Sequence, residues 1–169
     1  MADIIEKRAD FSQCRKYRYW LERIWDRSLP ALIMVMMNPS IADETANDPT
    51  VERCERRARM KGYGRLIVVN LMAVIETDSK KLRHMPSSTR FGPRNENALL
   101  DALKVDGDII CGWGKPGHEL GPVAWFATRA HRANRPLFCL KMNADGSPAH
   151  PLYQPYSREP IWFAGKEVA

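Results

Sequence analysis

The chain has 169 residues, 44% of them hydrophobic and 27% charged, which is the size and composition of one domain built around a single core. Its longest apolar run, residues 31–37, is about a third of the roughly 20 residues needed to cross a bilayer, so a transmembrane helix is excluded, and no repeat, collagen-like or disordered composition is present. The formal net charge of +6 lies wholly in residues 1–94, which hold 18 Lys and Arg against 12 Asp and Glu, whereas residues 95–169 hold 8 of each.

Along the chain the pattern alternates strands and helices. Residues 17–24 alternate two sets of side chains, as a strand with two differently used faces does, with a helix as the competing reading; the segment 26–30 turns. Residues 31–37 form a short apolar run closed by Asn38-Pro39-Ser40, which predicts a strand buried on both faces. Asp48-Pro49-Thr50 then opens a helix: Asp48 can cap exposed amides, Pro49 suits the first turn, and Val51, Cys54 and Ala58 share one face until Gly62 and Gly64 stop it.

A second buried strand, residues 66–71, contains one polar residue, Asn70. A polar loop follows, then a helix over 95–103, a third strand over 108–113, a helix over 121–133 and a fourth strand over 136–140. The last dozen residues read as an irregular tail. Four apolar runs separated by helices predict a mostly parallel central sheet of about four strands covered on both faces, an α/β three-layer sandwich formed by one domain over 1–169 with its core at about 17–162. In such sheets sites gather beyond the carboxyl ends of the strands, where Asn38, Asn70, Trp113 and the loop to His150 would converge.

Four cysteines without CxxC spacing, and no HExxH pair, give a structural metal site weak support; buried free thiols in a reducing, cytoplasmic setting are the expectation. The charged N-terminus lacks the apolar centre of a signal peptide.

The candidate site residues follow from these positions. Asn38 can hold a water or a ligand carbonyl, or simply start a turn before Pro39. Asp43 and Asp48 are candidate general bases, Asp48 also being what a helix cap requires. Asn70 offers a donor and an acceptor to a planar heterocycle, or is a satisfied structural amide. His150, restrained by Pro151, can stabilise developing negative charge. The glycines of CGWGKPGH fit neither a P-loop nor a dinucleotide fingerprint and read as a tight strand-to-helix connection. Arg53, Arg56, Arg57, Arg59 and Lys61 make the helix after Asp48 basic, either as a solvated face or to contact phosphates, with Lys115 a further backbone contact.

The segments MVMMNPSIADETANDPTVERC, VVNLMAV, GWGKPGH and HPLY, in that order, resemble a bacterial and phage family catalogued as a domain of unknown function, over residues 17–162. The same four segments also look like those of the uracil-DNA glycosylase superfamily. That likeness implies that Asn38-Pro39 positions the attacking water, with Asp43 or Asp48 as carboxylate. Asn70 would read the edge of an extruded base, Trp113-Gly114 end a following strand, and His150-Pro151 supply the leaving-group histidine. Pro39, Ser40, Trp113 and Tyr153 would then line the substrate pocket, with Leu152 or Tyr153 as a wedge. This sequence departs from the superfamily in having Met36-Met37 before Asn38, HPLY in the last motif, and no aromatic directly after Pro39. The implied function is hydrolysis of the N-glycosidic bond of a modified, damaged or mismatched base in duplex DNA by a monomeric enzyme without metal or cofactor. A non-catalytic module for a nucleotide or modified base, and a hydrolase or transferase of free nucleotides, are the alternatives.

Overall fold

The computed structural model describes residues 3–165. Among the described residues seven strands form one mixed sheet: β1 (Glu6–Phe11), β2 (Arg18–Ile24), β3 (Ala31–Met36), β4 (Arg65–Asn70), β5 (Gly107–Cys111), β6 (Pro136–Cys139) and β7 (Ile161–Gly165), in the order β1-β2-β4-β3-β5-β6-β7. The four apolar runs are the central strands β4-β3-β5-β6, and all their pairings are parallel. The expected sheet of about four strands is therefore enlarged by antiparallel additions: β2 beside β4, β1 beside β2, and β7 beside β6.

Among the same residues six helices accompany the sheet: α1 (Pro49–Met60), α2 (Ser79–His84), α3 (Ser87–Phe91), α4 (Asn95–Lys104), α5 (Gly114–Leu120) and α6 (Val123–Arg132), with a 3-10 turn, η1, at Pro151–Tyr153. Every residue of β3 is buried, because its two faces serve two cores. Leu32, Met34 and Met36 pack with Val51, Cys54 and Ala58 of α1 on one side. Ile33 and Val35 pack with Leu99 and Leu103 of α4 and Phe126 of α6 on the other. Full burial of such a side chain contributes about 1.5–3 kcal/mol, so the absence of alternation in this run follows from its central place. At the start of β5, Gly107 has φ 139°, and a Cβ there would lie 1.9 Å from the Ala31 carbonyl oxygen, so only glycine admits this strand beside β3.

Three expectations are corrected. β2 is not divided into two differently used faces, since Arg18, Glu22 and Arg23 are buried along with its apolar residues. The C-terminal tail is irregular only up to β7, which pairs with β6. Of the four free cysteines, Cys54, Cys111 and Cys139 are buried, but Cys14 is exposed. Burial pushes the Cys54 thiol up to about 12, which makes it inert at neutral pH. No helix among the described residues is long and apolar enough to cross a membrane.

Chain connections move from β3 outward to β4 and then cross back to β5 on the other side of β3. That reversal opens a crevice between the carboxyl ends of β3 and β5, the place where ligands enter open α/β sheets.

Candidate functional site

A cleft of about 490 Å³ occupies that crevice. It is lined by Met36, Met37, Asn38 and Ser40 after β3, Val68 and Asn70 of β4, and Trp113, Gly114 and Pro116 at the junction of β5 and α5. Asp48, Thr50 and Val51 enter from the start of α1, Arg18 from β2, and His150 and Tyr153 from η1; Glu76, Thr77 and Ser79 form the facing wall. Gly112 makes this convergence possible: a Cβ there would sit 2.7 Å from the Pro151 ring, so η1 packs directly against the end of β5. A larger depression of about 660 Å³ lies over β1 and β2, but its charges already answer one another, Arg8 and Arg65 both pairing with Glu22.

Asn70 is the most distinctive group in the cleft. It is 2% exposed, and its Nδ2 is buried without a hydrogen-bond partner among the described residues. Leaving a buried donor unpaired costs about 1–3 kcal/mol, which a ligand acceptor would recover. The backbone carbonyl of Asn70 is held by the Nδ2 of Asn95 at 2.9 Å, so the strand end that carries the amide is fixed.

Asn38 is more committed. Its Nδ2 donates to the carbonyls of Pro39, Val74 and Glu76, at 3.2, 3.2 and 2.7 Å, and thereby ties the loop after β4 to the end of β3. Only its Oδ1 is left to meet a ligand or water. Pro39 is buried beneath it and does not line the cleft.

The two aspartates separate. Asp43 accepts from the backbone amides of Thr45 and Ala46 and from the Thr45 hydroxyl, and these bonds hold its carboxyl down at about 2. It is absent from the cleft lining and too weak a base for the suggested role. Asp48 lines the cleft: one oxygen caps α1 by accepting from the Val51 amide at 2.8 Å, and the other takes no donor among the described residues.

His150 caps η1, its Nδ1 accepting from the Leu152 amide at 3.3 Å. In the neutral ring the proton is therefore on Nε2, available to donate. Burial holds its pKa below the usual histidine value, against the opposing charge of Asp48. Tyr153 is 79% exposed at the rim, 5.9 Å from the His150 ring, whereas Leu152 does not line the cleft. Trp113 contributes a wall but is 1% exposed and packs edge-on against Phe163 at 5.4 Å, so it shapes the cleft as core. The Gly114 amide is spent on the Pro148 carbonyl, which leaves the glycine-rich loop a structural connection.

On the basic face of α1, Arg53 and Arg57 are engaged within the chain, which takes these two away from the suggested phosphate contacts. Arg57 is 2% exposed and donates to the carbonyls of Gln154, Pro155, Tyr156 and Arg158. Arg53 donates to the same Gln154 carbonyl and lies 4.4 Å over the Tyr156 ring. These arginines grip the chain's own C-terminal segment. Arg56 is exposed, but beside Asp3, Lys7 and Glu52 and outside the cleft. Lys115 is exposed beside the lining residues Gly114 and Pro116, in a solvent-exposed pair with Glu119 at 3.9 Å.

With the cleft assembled from NPS, VNL, WG and HPLY, the family match falls on these same segments. The chain belongs to the DUF1643 family, described as a protein of unknown function. The family's profile matches residues 18–152, from Arg18 at the start of β2 into η1, and so includes every cleft-lining residue except Tyr153. No curated protein and no solved structure matches the chain. Among the described residues of this DUF1643 chain, no group of three or more His, Cys, Asp and Glu is placed to hold a metal ion.

Sequence reasoning missed Arg18, Glu76, Thr77 and Ser79. A charged residue at the start of a strand otherwise destined for the core was a signal for Arg18. The polar loop after β4 carried none that distinguishes Glu76 from its neighbours.

Proposed function

We propose that the cleft receives a nucleobase extruded from DNA and that the protein hydrolyses its N-glycosidic bond. The observation that carries this reading is Asn70: a buried amide whose Nδ2 has no hydrogen-bond partner among the described residues, lining a cleft of about 490 Å³ that has room for a nucleobase. Its adjacent donor and acceptor match the amide-like edge of a heterocyclic base. The order of motifs that resembles the uracil-DNA glycosylase superfamily supports the same reading.

In this reading a water bound between Asn38 Oδ1 and the open oxygen of Asp48 attacks C1′ and gives its proton to Asp48. The C1′–N bond breaks, and its electron pair stays on the base. His150, neutral and protonated on Nε2, donates to the base as negative charge gathers there. Tyr153 stands at the rim, where an aromatic ring can take the place of the departed base in the stack. The exposed Lys80, Lys81 and Lys115, next to cleft-lining residues, supply phosphate contacts in place of Arg53 and Arg57.

A non-catalytic base-binding module is the second reading. It is favoured by the state of the two cleft carboxylates, since Asp48 and Glu76 each spend one oxygen on a backbone amide. Incubation with duplex oligonucleotides carrying uracil, hypoxanthine, 5-hydroxymethyluracil or a mismatch, followed by alkali, separates the two. Strand cleavage only after alkali is the expected result. Retention of the oligonucleotide without cleavage establishes the module, and action on free nucleotides alone overturns both readings.

A further inference from the structure

Three buried arginines lie near the cleft or behind it, and they differ in how their donors are used. Arg23 donates to the Asn47 side chain and to the carbonyls of Glu22, Asp43 and Ala46. Arg57 donates to four carbonyls of the C-terminal segment, although its Nε too is buried without a partner among the described residues. Arg18 is 3% exposed, yet its guanidinium makes one hydrogen bond, from Nη1 to the Ala42 carbonyl, and its Nε is buried without a partner among the described residues. It forms no ion pair there, and it is the arginine that lines the cleft.

A buried cation with no carboxylate in ion-pair contact and most of its hydrogen bonds unmade is costly, and the cost is recovered when a ligand brings negative charge to it. Burial lowers the Arg18 pKa to about 10, so the group is still charged at neutral pH. Asp48 and Asp43 favour that charge and Arg23 opposes it. Asn70 Nδ2 is a second buried orphan donor in the same cleft, and the amino end of α1 enters beside it through Thr50 and Val51. Asp48 and Glu76 line the same cleft with the opposite sign, Asp48 near enough to Arg18 to favour its charge.

We propose that Arg18 makes this side of the cleft a subsite for the anionic edge of a nucleobase, so that the base is held most tightly as its anion. The inference rests on the nucleobase reading and goes beyond it by naming the charge state that is bound. In the hydrolysis above, the electron pair of the broken C1′–N bond remains on the base, its charge spreads onto the ring nitrogen and carbonyl oxygens, and Arg18 meets those atoms without itself exchanging a proton.

Calorimetric titration of the full chain with free pyrimidine bases graded in acidity tests this without relying on turnover. Wild-type affinity should rise as the pH passes the ionisation of each base. Arg18→Gln should remove that rise and lose about ten- to a hundredfold in affinity for the anion, the range expected for a hydrogen bond to a charged group. Arg18→Lys, which keeps the charge, should retain part of the pH dependence, with circular dichroism confirming that both variants fold. Bases that bind equally to wild type and Arg18→Gln overturn the inference and leave the nucleobase reading standing. Inorganic phosphate serves as a second probe: Arg18-dependent binding of phosphate with no binding of any base keeps an anion subsite but overturns the base anion as its occupant and the nucleobase reading with it. Binding of neither probe overturns both.

Discussion

Arg57 Nη2 donates to the Gln154 carbonyl at 3.0 Å and so ties the helix capped by Asp48 to the segment that follows His150. One buried guanidinium thus fixes the relative placement of two cleft side chains that are about a hundred residues apart in sequence. Arg57→Gln should destabilise the fold by about 3 kcal/mol, as expected when several hydrogen bonds from a buried charge are removed together. Urea denaturation measures the loss. An unchanged midpoint would show that the C-terminal segment is held by other contacts.

The Asn38 amide faces three carbonyl oxygens, so a carboxylate in its place should be repelled by all of them. Asn38→Asp should therefore cost more stability than Asn38→Ala, which should lose about 1–3 kcal/mol. Hydrogen exchange should speed up selectively over residues 74–79 in both variants. Protection unchanged across that loop would mean that the tether is dispensable.

Asp43 and Asp48 should respond differently to loss of charge. Asp43→Asn should leave turnover or ligand affinity at the wild-type level, because its carboxylate serves its own turn. Asp43 is depressed to about 2 in the fold, so its stabilising contribution is present above the ordinary carboxylate range and is lost as pH falls toward 2; Asp43→Asn should flatten that part of an acid titration. Asp48→Asn should instead lower excision by about a hundredfold or more while the protein stays folded. Equal effects of the two substitutions would contradict the separation.

Much of the fold was legible in residues 31–37, 66–71, 108–113 and 136–140, because strands buried on both faces announce themselves as apolar runs whatever surrounds them. The edges were not. β1 carries Glu6, Lys7, Arg8 and Asp10 and is half exposed, so it shows no core pattern, and its pairing with β2 is a backbone event. The short helices α2, α3 and α5 lie in segments that read as loops, and α3 and α5 lack side-chain caps. At the site, Asn70 and His150 stood out as polar residues in apolar or constrained surroundings. The roles of Arg53 and Arg57 did not, because a basic helix face looks the same in sequence whether it meets phosphates or the chain's own carbonyls.

Burial keeps the His150 pKa below the ordinary value of 6.5. The unfolded chain therefore takes up a proton at that residue before the folded one does. The associated stability is present above about pH 6.5 and is lost as pH falls through the folded value. His150→Gln should flatten stability against pH in that window. The imidazole resonances of His150 should titrate below 6.5 and report the Nε2–H tautomer; titration above 6.5 would remove the neutral donor from the proposed chemistry. Under single-turnover conditions His150→Ala should slow excision by about a hundred- to a thousandfold, with most DNA binding retained.

The central claim is that Asn70 meets a base in the cleft, and the side-chain amide resonances of Asn70 in ¹⁵N-labelled protein test it most directly. Titrated with the panel of duplex oligonucleotides, one member carrying the preferred base should shift the Nδ2 protons downfield as the orphan donor gains an acceptor, and Asn70→Ala should bind that member no better than an unmodified duplex. Oligonucleotide binding that leaves the Asn70 amide unmoved, with Asn70→Ala keeping the wild-type preference among bases, would contradict the account.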